Sequence, residues 1–597
     1  MRFIAAIGVF VLAAIFLGTG LTQKVFFSGP DFASLTTTVG GNASYIVISG
    51  DVLASNPGLQ TVGASGTDVA FIGYGKSSDV TAWLSGSDYS TITYNTKTEE
   101  LGSELVVSPK DSAAKGVTTT PVANPIVNPA GSDLWLGERL GSNAVSLPMN
   151  IDRTMSVIIA ADGVSAAPSI VRLSWPIPGR APYSTAFIIG GGILLLIGLV
   201  LYIWALLRMK REQGPRRRGR IGKMPKPPKP RKMGRSPAPK ILSPAKGRRA
   251  LERRSAFLIV PLGLTLALGL AACASPYEKG TGVVSPSATP TRDAGLSGQL
   301  PDVTSAQLTR IMARVSETLS TADKKLDGTL AATRLVGPAL QIRSANYAMR
   351  LADANVAALA AIPASPVTFV MPQATDAWPR YVMTVIQDPN DTTVPTTGLV
   401  LIQQSPRENY HVEYSVTLEP NATVPEVAPS TVGSAIVAPD SKLLLIQPNQ
   451  LALAYGDILL KGDASPYAGL FDGANDTLRT QIGLPYKDAK RTAIGEKATI
   501  EYTQQLGTAP PVSLATNNSG AIVTVNLNEI ETVRPTEARA VVNAEGQTKV
   551  LAGIASSVTG IESTYGVQLA FYVPPLGSTE KIRLLGFSQG LIAAKGL

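Results

Sequence analysis

Three short motifs have residue types and spacings that occur in catalytic or nucleotide-binding loops. Residues 586–590 read Gly-Phe-Ser-Gln-Gly, which is the G-x-S-x-G pattern of a serine nucleophile. A hydrolase with this pattern needs an acidic residue and then a histidine after the serine. The single histidine, His411, precedes the serine. We therefore interpret residues 586–590 as a strand with a glycine-bounded turn.

The other two motifs lack the residues that would complete them. Residues 73–77 read Gly-Tyr-Gly-Lys-Ser, but Ala70 stands where a phosphate-binding loop needs its first glycine. Residues 112–115 read Ser-Ala-Ala-Lys, the S-x-x-K pattern of penicillin-interacting enzymes, without the companion K-T-G and S-D-N motifs. We reject both as catalytic or nucleotide sites.

Metal and acid–base chemistry have few candidate residues. One histidine and one cysteine leave no ordinary zinc or copper site, and we predict no cofactor. His411 alternates with apolar residues in a predicted strand, so we expect it on an exposed face. Residues 388–391 and 472–476 are acidic without EF-hand spacing, and we interpret them as Asx-rich turns rather than calcium loops. A carboxylate pair acting on glycan stays open, because only the fold can bring such a pair together.

The one cysteine, Cys273, ends the sequence Leu270-Ala271-Ala272-Cys273. This sequence resembles the lipobox of bacterial lipoproteins, with basic residues at 246–254 and an apolar stretch at 256–270 before it. The resemblance implies that the cysteine thiol is acylated and that the chain is cut just before it. Family members carry this motif near the N-terminus, whereas here it lies deep in the chain. A third membrane helix that happens to end in a cysteine is the alternative.

A strongly basic, proline-rich segment precedes this junction. The whole chain has a net charge of +10, and residues 208–254 hold nineteen lysines and arginines against Glu212 and Glu252. Positive segments stay cytoplasmic, so this one sets the orientation. Besides that role, it could bind anionic lipids of the inner leaflet. The basic residues predicted at the membrane surface are Arg216, Arg217, Arg218, Arg220, Lys223, Lys226, Lys229, Arg231 and Lys232.

Two uncharged stretches are long enough for membrane helices. Residues 3–23 and 181–207 contain no charged side chain, and about 20 apolar residues cross a bilayer. The first has no small-x-small cleavage site, so we interpret it as a signal anchor rather than a removable signal peptide. With the basic segment inside, residues 25–180 and 276–597 are predicted outside.

Residues 25–180 have the pattern of a mainly β domain. Short runs rich in β-branched and aromatic residues are bounded by turn residues, and residues 78–84 fit one short helix. The predicted strands are 45–48, 69–74, 90–94, 105–108, 155–160 and 170–175. A signal anchor, a β domain and a second span together loosely resemble uncharacterised envelope proteins of Gram-positive bacteria, for which no activity is implied.

The C-terminal region is predicted to be α+β. Thr304 and Gln307 form a capping-box pattern, and apolar residues at helical spacing follow to about residue 361. Strands are predicted at 381–386, 399–403, 410–418, 442–447, 451–460, 498–504, 522–528, 540–543 and 567–572, with a helix near 468–481. The order of helices and then antiparallel strands occurs twice. We therefore predict two tandem modules of cystatin-like or nuclear-transport-factor-like shape.

The sequence thus predicts a multi-pass plasma-membrane protein with two or three transmembrane helices and two extracytoplasmic domains. The domains are 1–24 signal anchor, 25–180 outer β domain, 181–207 transmembrane helix, 208–254 cytoplasmic loop, 255–275 third apolar segment, 276–303 tether, and 304–427 and 428–597 outer α+β modules. The leading function is non-enzymatic binding of an envelope protein, lipid or wall polysaccharide by the outer domains. A carboxylate-dependent hydrolase of cell-wall glycan or peptide is the alternative. The basic segment has no aromatic residues to stack bases, so nucleic acid is not expected as a partner.

Overall fold

The computed structural model describes residues 2–26, 32–56, 58–108, 127–176, 184–212, 301–387, 395–420 and 422–597. The chain divides into two compact units. One contains Met1–Ser28 and Ala181–Thr289, and the other contains Gly29–Arg180 and Pro290–Leu597. The β-rich region and the C-terminal region, which the sequence pattern presents as separate domains, therefore fold together as one unit.

The described part of the first unit is a pair of helices, α1 (Arg2–Phe26) and α4 (Ser184–Glu212). Both are long and apolar enough to cross a membrane, over Ile4–Gln23 and Thr185–Arg208. Neither helix has an acidic residue in its first turn. The two predicted apolar spans are thus helical. The third predicted span, at 256–272, lies outside the described residues.

Small residues at seven-residue intervals form the contact between α1 and α4. Phe10 lies against Gly198 and Leu17 against Gly191, so the two helices run antiparallel. A Cβ at Gly191 would lie 2.9 Å from the backbone nitrogen of Leu17. The small buried residues are Ala6, Ala13 and Gly20 on α1, and Gly191, Gly198 and Ala205 on α4. A strict seven-residue repeat keeps one seam of each helix facing its partner.

In the second unit, residues 32–176 form an eight-stranded sheet, here called the β domain. Its strand order is β1-β8-β3-β7-β2-β4-β5, and β6 pairs with β3. The edge strands β1 and β5 lie close together, so the sheet curls around a core that includes Ile72, Ile159 and Trp175. The strands are β1 Phe32–Thr38, β2 Tyr45–Ser49, β3 Gln60–Lys76, β4 Tyr89–Asn95, β5 Glu100–Val106, β6 Gly137–Met149, β7 Met155–Ala160 and β8 Ile170–Pro176; the helices are α2 Gly50–Leu53 and α3 Ser77–Leu84.

Residues 301–597, here called the C-terminal domain, combine eleven strands with seven α-helices among the described residues. The helices are α5 Ser305–Lys325, α6 Gly328–Ala332, α7 Gly337–Ala352, α8 Pro448–Lys461, α9 Thr477–Ile482, α10 Leu484–Ile494 and α11 Gly546–Ala552. The strands are β9 Val367–Pro372, β10 Arg380–Ile386, β11 Thr397–Gln403, β12 His411–Leu418, β13 Ala498–Leu506, β14 Val512–Ala515, β15 Ala521–Pro535, β16 Val542–Asn543, β17 Ser556–Ser557, β18 Ile561–Val573 and β19 Arg583–Gly596. The predicted capping box is present: Thr304 accepts from the Gln307 backbone, and the Gln307 side chain accepts from that of Thr304.

Nine of these strands form one antiparallel sheet that is nearly closed. The order is β13-β15-β18-β19-β12-β11-β10-β9, and β14 pairs with β15. The extended segment 434–437 hydrogen-bonds to the end of β9 through Ser434 and to β14 through Val437. Tyr414, Leu514 and Tyr572 belong to the core that this sheet encloses. Helices α5 and α7 cover one outer side of the sheet, and α8 covers another.

The region predicted as two modules forms one sheet with two four-stranded halves. Strands β9 to β12 follow helices α5 to α7, and β13, β15, β18 and β19 follow α8 to α10. The halves are joined where β12 pairs with β19 through Thr417–Phe587 and Leu418–Gly586. Helices followed by antiparallel strands thus occur twice. The halves nevertheless share one sheet and one enclosed core.

Three predictions within this domain are wrong. Residues 442–447 do not form a strand and hold an isolated bridge between Leu444 and Pro575. Residues 451–460 lie in helix α8 rather than in a strand, because a continuous apolar run fits a buried helix equally well. The predicted alternation along β12 breaks at Glu413, where a β-bulge places Val412 and Tyr414 in two different cores. A bulge inserts one residue and shifts the facing pattern. Glu413 is therefore buried and His411 is half-buried, not exposed.

Candidate functional site

The sequence motifs singled out for chemistry fall in three different places. The lipobox residues Leu270, Ala271, Ala272 and Cys273, the basic residues from Arg216 to Lys232, and the motif at 112–115 all lie outside the described residues. Residues 586–590 lie inside strand β19, where Gly586 and Gly590 give room to β12 and to Ile342. This placement agrees with a strand and not with a nucleophile turn.

Lys76, from the rejected phosphate-loop motif, lies at the interface between the two domains of the second unit. It ends strand β3, is buried, and donates a hydrogen bond to the carbonyl oxygen of Pro301. Pro301 is the first described residue of the C-terminal domain. Burial lowers the pKa of Lys76. The motif therefore serves domain contact.

Asp133 is the centre of this interface. Its side chain has no solvent exposure, and one carboxylate oxygen accepts from Arg334 at 2.6 Å and from the backbone of Tyr410 at 2.9 Å. The other oxygen accepts from Arg314 at 3.2 Å. Arg314 also donates to Glu138 at 2.8 Å. A buried carboxylate needs such full hydrogen bonding to offset its lost hydration.

A second buried ion pair lies at helix α3. Arg380, at the start of β10, donates to Asp79 at 2.7 Å, and both side chains are almost completely buried. The guanidinium also stacks on Trp378, 3.7 Å from the ring centroid. Planar guanidinium groups suit a buried pair that is also stacked on an aromatic ring.

Backbone carbonyl groups of the β domain accept further hydrogen bonds from the C-terminal domain. Arg310 donates to the carbonyl oxygens of Trp135 and Leu136, each at 3.0 Å. Arg407 donates to the carbonyl oxygen of Trp83 at 2.8 Å and to the Ser87 hydroxyl at 2.6 Å. Gln307, the capping-box residue of α5, donates to the carbonyl oxygen of Leu134 at 3.0 Å. Helix α5 therefore contacts the β domain through consecutive turns.

Aromatic side chains fill the space between these polar contacts. Trp83 and Trp135 lie 5.4 Å apart between ring centroids, and Phe71 lies 6.3 Å from Trp135. This cluster sits on α3 and the segment before β6, and Trp378 of the C-terminal domain packs against it. Buried tryptophans and arginines are the residues that dominate binding energy in protein interfaces.

Asp302 is a buried acid in the same region. Its carboxylate accepts from the Tyr410 hydroxyl at 3.1 Å, and its other oxygen has no hydrogen-bond partner. Burial raises the pKa of Asp302 to about 7, against the opposing effects of Arg380, Tyr410 and Lys76. Burial and the nearby Arg334 lower the pKa of His411. Asp302 thus titrates near neutrality in this region, and His411 close to it has a lowered pKa.

The charges at this interface are distributed unequally between the two domains. The cations that reach across it from the C-terminal domain are Arg310, Arg314, Arg334, Arg380 and Arg407. The carboxylates that receive arginine are Asp79, Asp133 and Glu138 of the β domain. The buried carboxylates of Asp79 and Asp133 are paired with arginines of the C-terminal domain.

A separate small cavity of about 90 Å³ lies between α7, the segment 359–362 and strands β12, β18 and β19. Its polar lining includes Ser415, Thr417, Gln568 and Ser588. Arg343 is its charged lining residue and is itself bonded to Asp323 and to the carbonyl oxygen of Ala360. No carboxylate lines this cavity, so it does not have the groups of a glycan hydrolase.

The acidic segment at 472–476 forms turns and a helix cap. Asp472 accepts from the backbone of Ala474, and Asp476 caps α9 by accepting from the backbone of Arg479. These contacts agree with the interpretation as Asx turns. Within the described ranges, no cluster of three or more potential metal-ligating side chains occurs. The segment at 388–391 lies outside the described residues.

Comparison with protein families finds one match. Residues 299–596 match the family model described as domain of unknown function (DUF8094). The match begins just before the C-terminal domain and ends at its last strand, so it covers this domain and not the β domain. No curated protein and no solved structure matches the chain.

Proposed function

We propose that the protein is a non-enzymatic, membrane-anchored protein of the cell envelope. Its β domain and C-terminal domain act as one docked extracytoplasmic body that binds an envelope protein, lipid or wall polymer. The observation that carries this proposal is the interface itself. Its buried carboxylates at Asp133 and Asp79 are paired with arginines across the contact between the two domains.

The docked domains also support the proposed topology. Both lie in one compact unit, so both must be on the same side of any membrane that α4 crosses. A chain that leaves that side through α4 must return before residue 301. The segment at 256–272 is the apolar stretch available in between. The basic residues before it and after α4 favour a cytoplasmic location for the connecting loop.

The lipobox gives this return a specific form. If Cys273 is acylated, the segment 256–272 serves as a signal sequence, and the C-terminal domain is held by lipid at the outer leaflet. If it is not acylated, the same segment serves as a short third span. In both forms the two domains meet outside the membrane, and the basic loop contacts the inner leaflet.

The topology is tested with single cysteines in a Cys273→Ser background. Leu140 and Val558 are 58% and 64% exposed, so cysteines at these positions report on the β domain and the C-terminal domain. We expect a membrane-impermeant maleimide to label Leu140→Cys and Val558→Cys in intact cells, and Lys229→Cys only after lysis. Labelling of the loop before lysis, or protection of either domain, would show the orientation to be wrong.

One sedimentation assay distinguishes a binding protein from a hydrolase. Purified full-length protein is incubated with isolated cell walls, with membrane vesicles, or with both. We expect it to sediment with the fraction that holds its partner and to release no soluble saccharide or peptide. Release of fragments at a rate that depends on protein concentration would favour the hydrolase and contradict the proposal.

A further inference from the structure

We propose that the C-terminal domain recognises the β domain as a separate molecule would, so that the two remain one complex when the chain between them is cut. The surface concerned is the docking face, defined as residues 79–87 and 131–138 of the β domain. Its partner is the C-terminal domain, residues 301–597. The inference rests on the interface geometry and does not depend on the proposed binding function.

The docking face and the C-terminal domain have complementary charges. The docking face presents Asp79, Asp133 and Glu138, and the C-terminal domain presents arginines to each of them. Matched arginine–carboxylate contacts give an interface its orientation and exclude wrong partners, because an unpaired buried charge is costly. Such a set of contacts is specific enough to select a partner without a tether.

The interface combines buried ion pairs with an apolar centre of tryptophans. Asp133 and Asp79 are desolvated and paired, and Trp83, Trp135 and Trp378 form an apolar centre beside them. Stable protein interfaces concentrate their energy in buried tryptophan and arginine residues of this kind. The partner chemistry is therefore a guanidinium-rich surface with one tryptophan, which the C-terminal domain provides.

The two domains contact each other directly, through residues on either side of the chain that connects them. Each contact described above joins residues 76–138 directly to residues 301–410, and none uses the chain between Pro176 and Pro301. A connection between two surfaces that already bind each other adds effective concentration. A cut after Gly298 leaves all of the contacts described above intact.

The test uses the full-length protein in detergent, with a sequence-specific protease site inserted after Gly298, outside the described residues. After complete cleavage at low salt, we expect the two pieces to co-elute on size-exclusion chromatography. A double variant, Asp79→Ala with Asp133→Ala, should separate after cleavage, since losing both buried partners weakens association by at least about 100-fold. The isosteric pair Asp79→Asn with Asp133→Asn keeps the side-chain shape and should also weaken association.

A matched control removes a pair away from the docking face. Asp51 and Arg153 are 78% and 75% exposed, so Asp51→Ala should co-elute after cleavage as the wild type does. Separation of the cleaved wild type would overturn the proposal. Co-elution of both double variants would show that the arginine–carboxylate contacts do not carry recognition. Neither result alters cell-wall sedimentation of the uncut protein, so this proposal and the proposed function fail independently.

Discussion

Two contacts in this molecule join segments that are far apart in the chain, and they are built from opposite kinds of residue. Helices α1 and α4 meet through glycine and alanine at seven-residue intervals. The β domain and the C-terminal domain meet through arginines, carboxylates and tryptophans. The first contact contains no charge, and the second is centred on buried charges.

The difference follows from the medium that each contact must displace. In a bilayer, apolar side chains gain nothing by leaving lipid, so helices associate through close backbone approach at small residues. In water, surfaces that are exposed before docking must stay soluble, and arginines and carboxylates satisfy that need while also fixing the orientation. The composition of each contact therefore agrees with the membrane and aqueous locations proposed for the two units.

The largest expected effect is at the buried pair of Asp79 and Arg380. The Arg380 side chain has no exposed surface, and Asp79→Ala removes its counter-charge. We expect this variant to lower the free energy of unfolding by about 3–5 kcal/mol. Urea unfolding followed by tryptophan fluorescence measures this. The double variant Asp79→Leu with Arg380→Met should regain most of the loss. A loss below about 1 kcal/mol for Asp79→Ala alone would mean that the domains do not bury this pair.

The second prediction concerns the pH dependence of stability and compares Asp302, at the interface, with Glu413, in the C-terminal domain. Because the pKa of Asp302 is raised to about 7 in the folded protein, the folded state binds this proton more tightly than the unfolded state. Its contribution to stability is therefore greatest at acidic pH and is lost as pH rises from about 4 to about 7. Asp302→Asn, which keeps an acceptor for the Tyr410 hydroxyl, should remove this loss and raise stability at pH 8.

Glu413 provides the matched control for that measurement. Burial in the C-terminal domain raises its pKa to about 7 as well, so Glu413→Gln should also flatten the pH dependence of unfolding. Glu413 lies beside Gly337, which like it belongs to the C-terminal domain, and burial is the cause of its pKa shift. Dissociation of the cleaved protein should therefore lose pH dependence in Asp302→Asn and keep it in Glu413→Gln. Identical behaviour of the two variants would contradict the placement of Asp302 at the interface.

The third prediction tests the helix pair. A Cβ at Gly198 would lie 3.1 Å from the Phe10 ring, so Gly198→Ile should separate the helices at a cost of about 1–3 kcal/mol. The Phe16 and Phe187 ring centroids are 5.4 Å apart, so these positions face each other, and cysteines there in a Cys273→Ser background should be cross-linked in membranes by oxidation or by a short bis-thiol reagent. We expect the cross-linking yield to fall in Gly198→Ile and to be unchanged in Gly192→Ala, where a Cβ meets nothing within 4 Å. Equal yields in both would show that the seam is not the contact.

The smallest effect is expected at the exposed pair of Asp51 and Arg153. Their closest charged atoms are 3.8 Å apart and both side chains are largely exposed. Ion pairs of this kind contribute about 0–1 kcal/mol and weaken with salt. Arg153→Ala should change the urea midpoint by no more than the measurement error at 0.5 M salt. A larger change would mean that the loop before β7 is held by this pair.

Local features of the fold could be predicted from the sequence where one pattern dominated. Strand β7 is the predicted 155–160 segment, and α5 begins at the predicted capping box. Strand β6 was missed because its glycine, asparagine and proline residues hide any alternation, and its partner β3 supplies its hydrogen bonds. Helix α8 is difficult to distinguish from a strand in the sequence because apolar residues such as Leu453 also lie on its exposed side, which hides the helical spacing of its buried residues.

The candidate site could not be predicted in the same way. Asp133 stands in an unremarkable turn segment, and Arg334 lies 201 residues later in the chain. Only the fold brings them together, and no local spacing encodes that contact. Lys76 was singled out for a wrong reason, as part of an incomplete phosphate loop. The one available signal is a weak one, namely a lysine and an aspartate around the start of a short helix whose Val80, Trp83 and Leu84 form an apolar face.

The distance in sequence between Asp133 and Arg334 has a consequence during synthesis. At about 5–20 residues per second, the 201 residues between them take about 10–40 s to translate, and the β domain is complete before its partner surface exists. A docking face made of tryptophans alone would be an exposed apolar patch, prone to aggregation, during that interval. Asp79, Asp133 and Glu138 keep it hydrated and negatively charged while the nascent chain is extended. The same carboxylates that are buried in the finished protein therefore keep the unfinished one soluble.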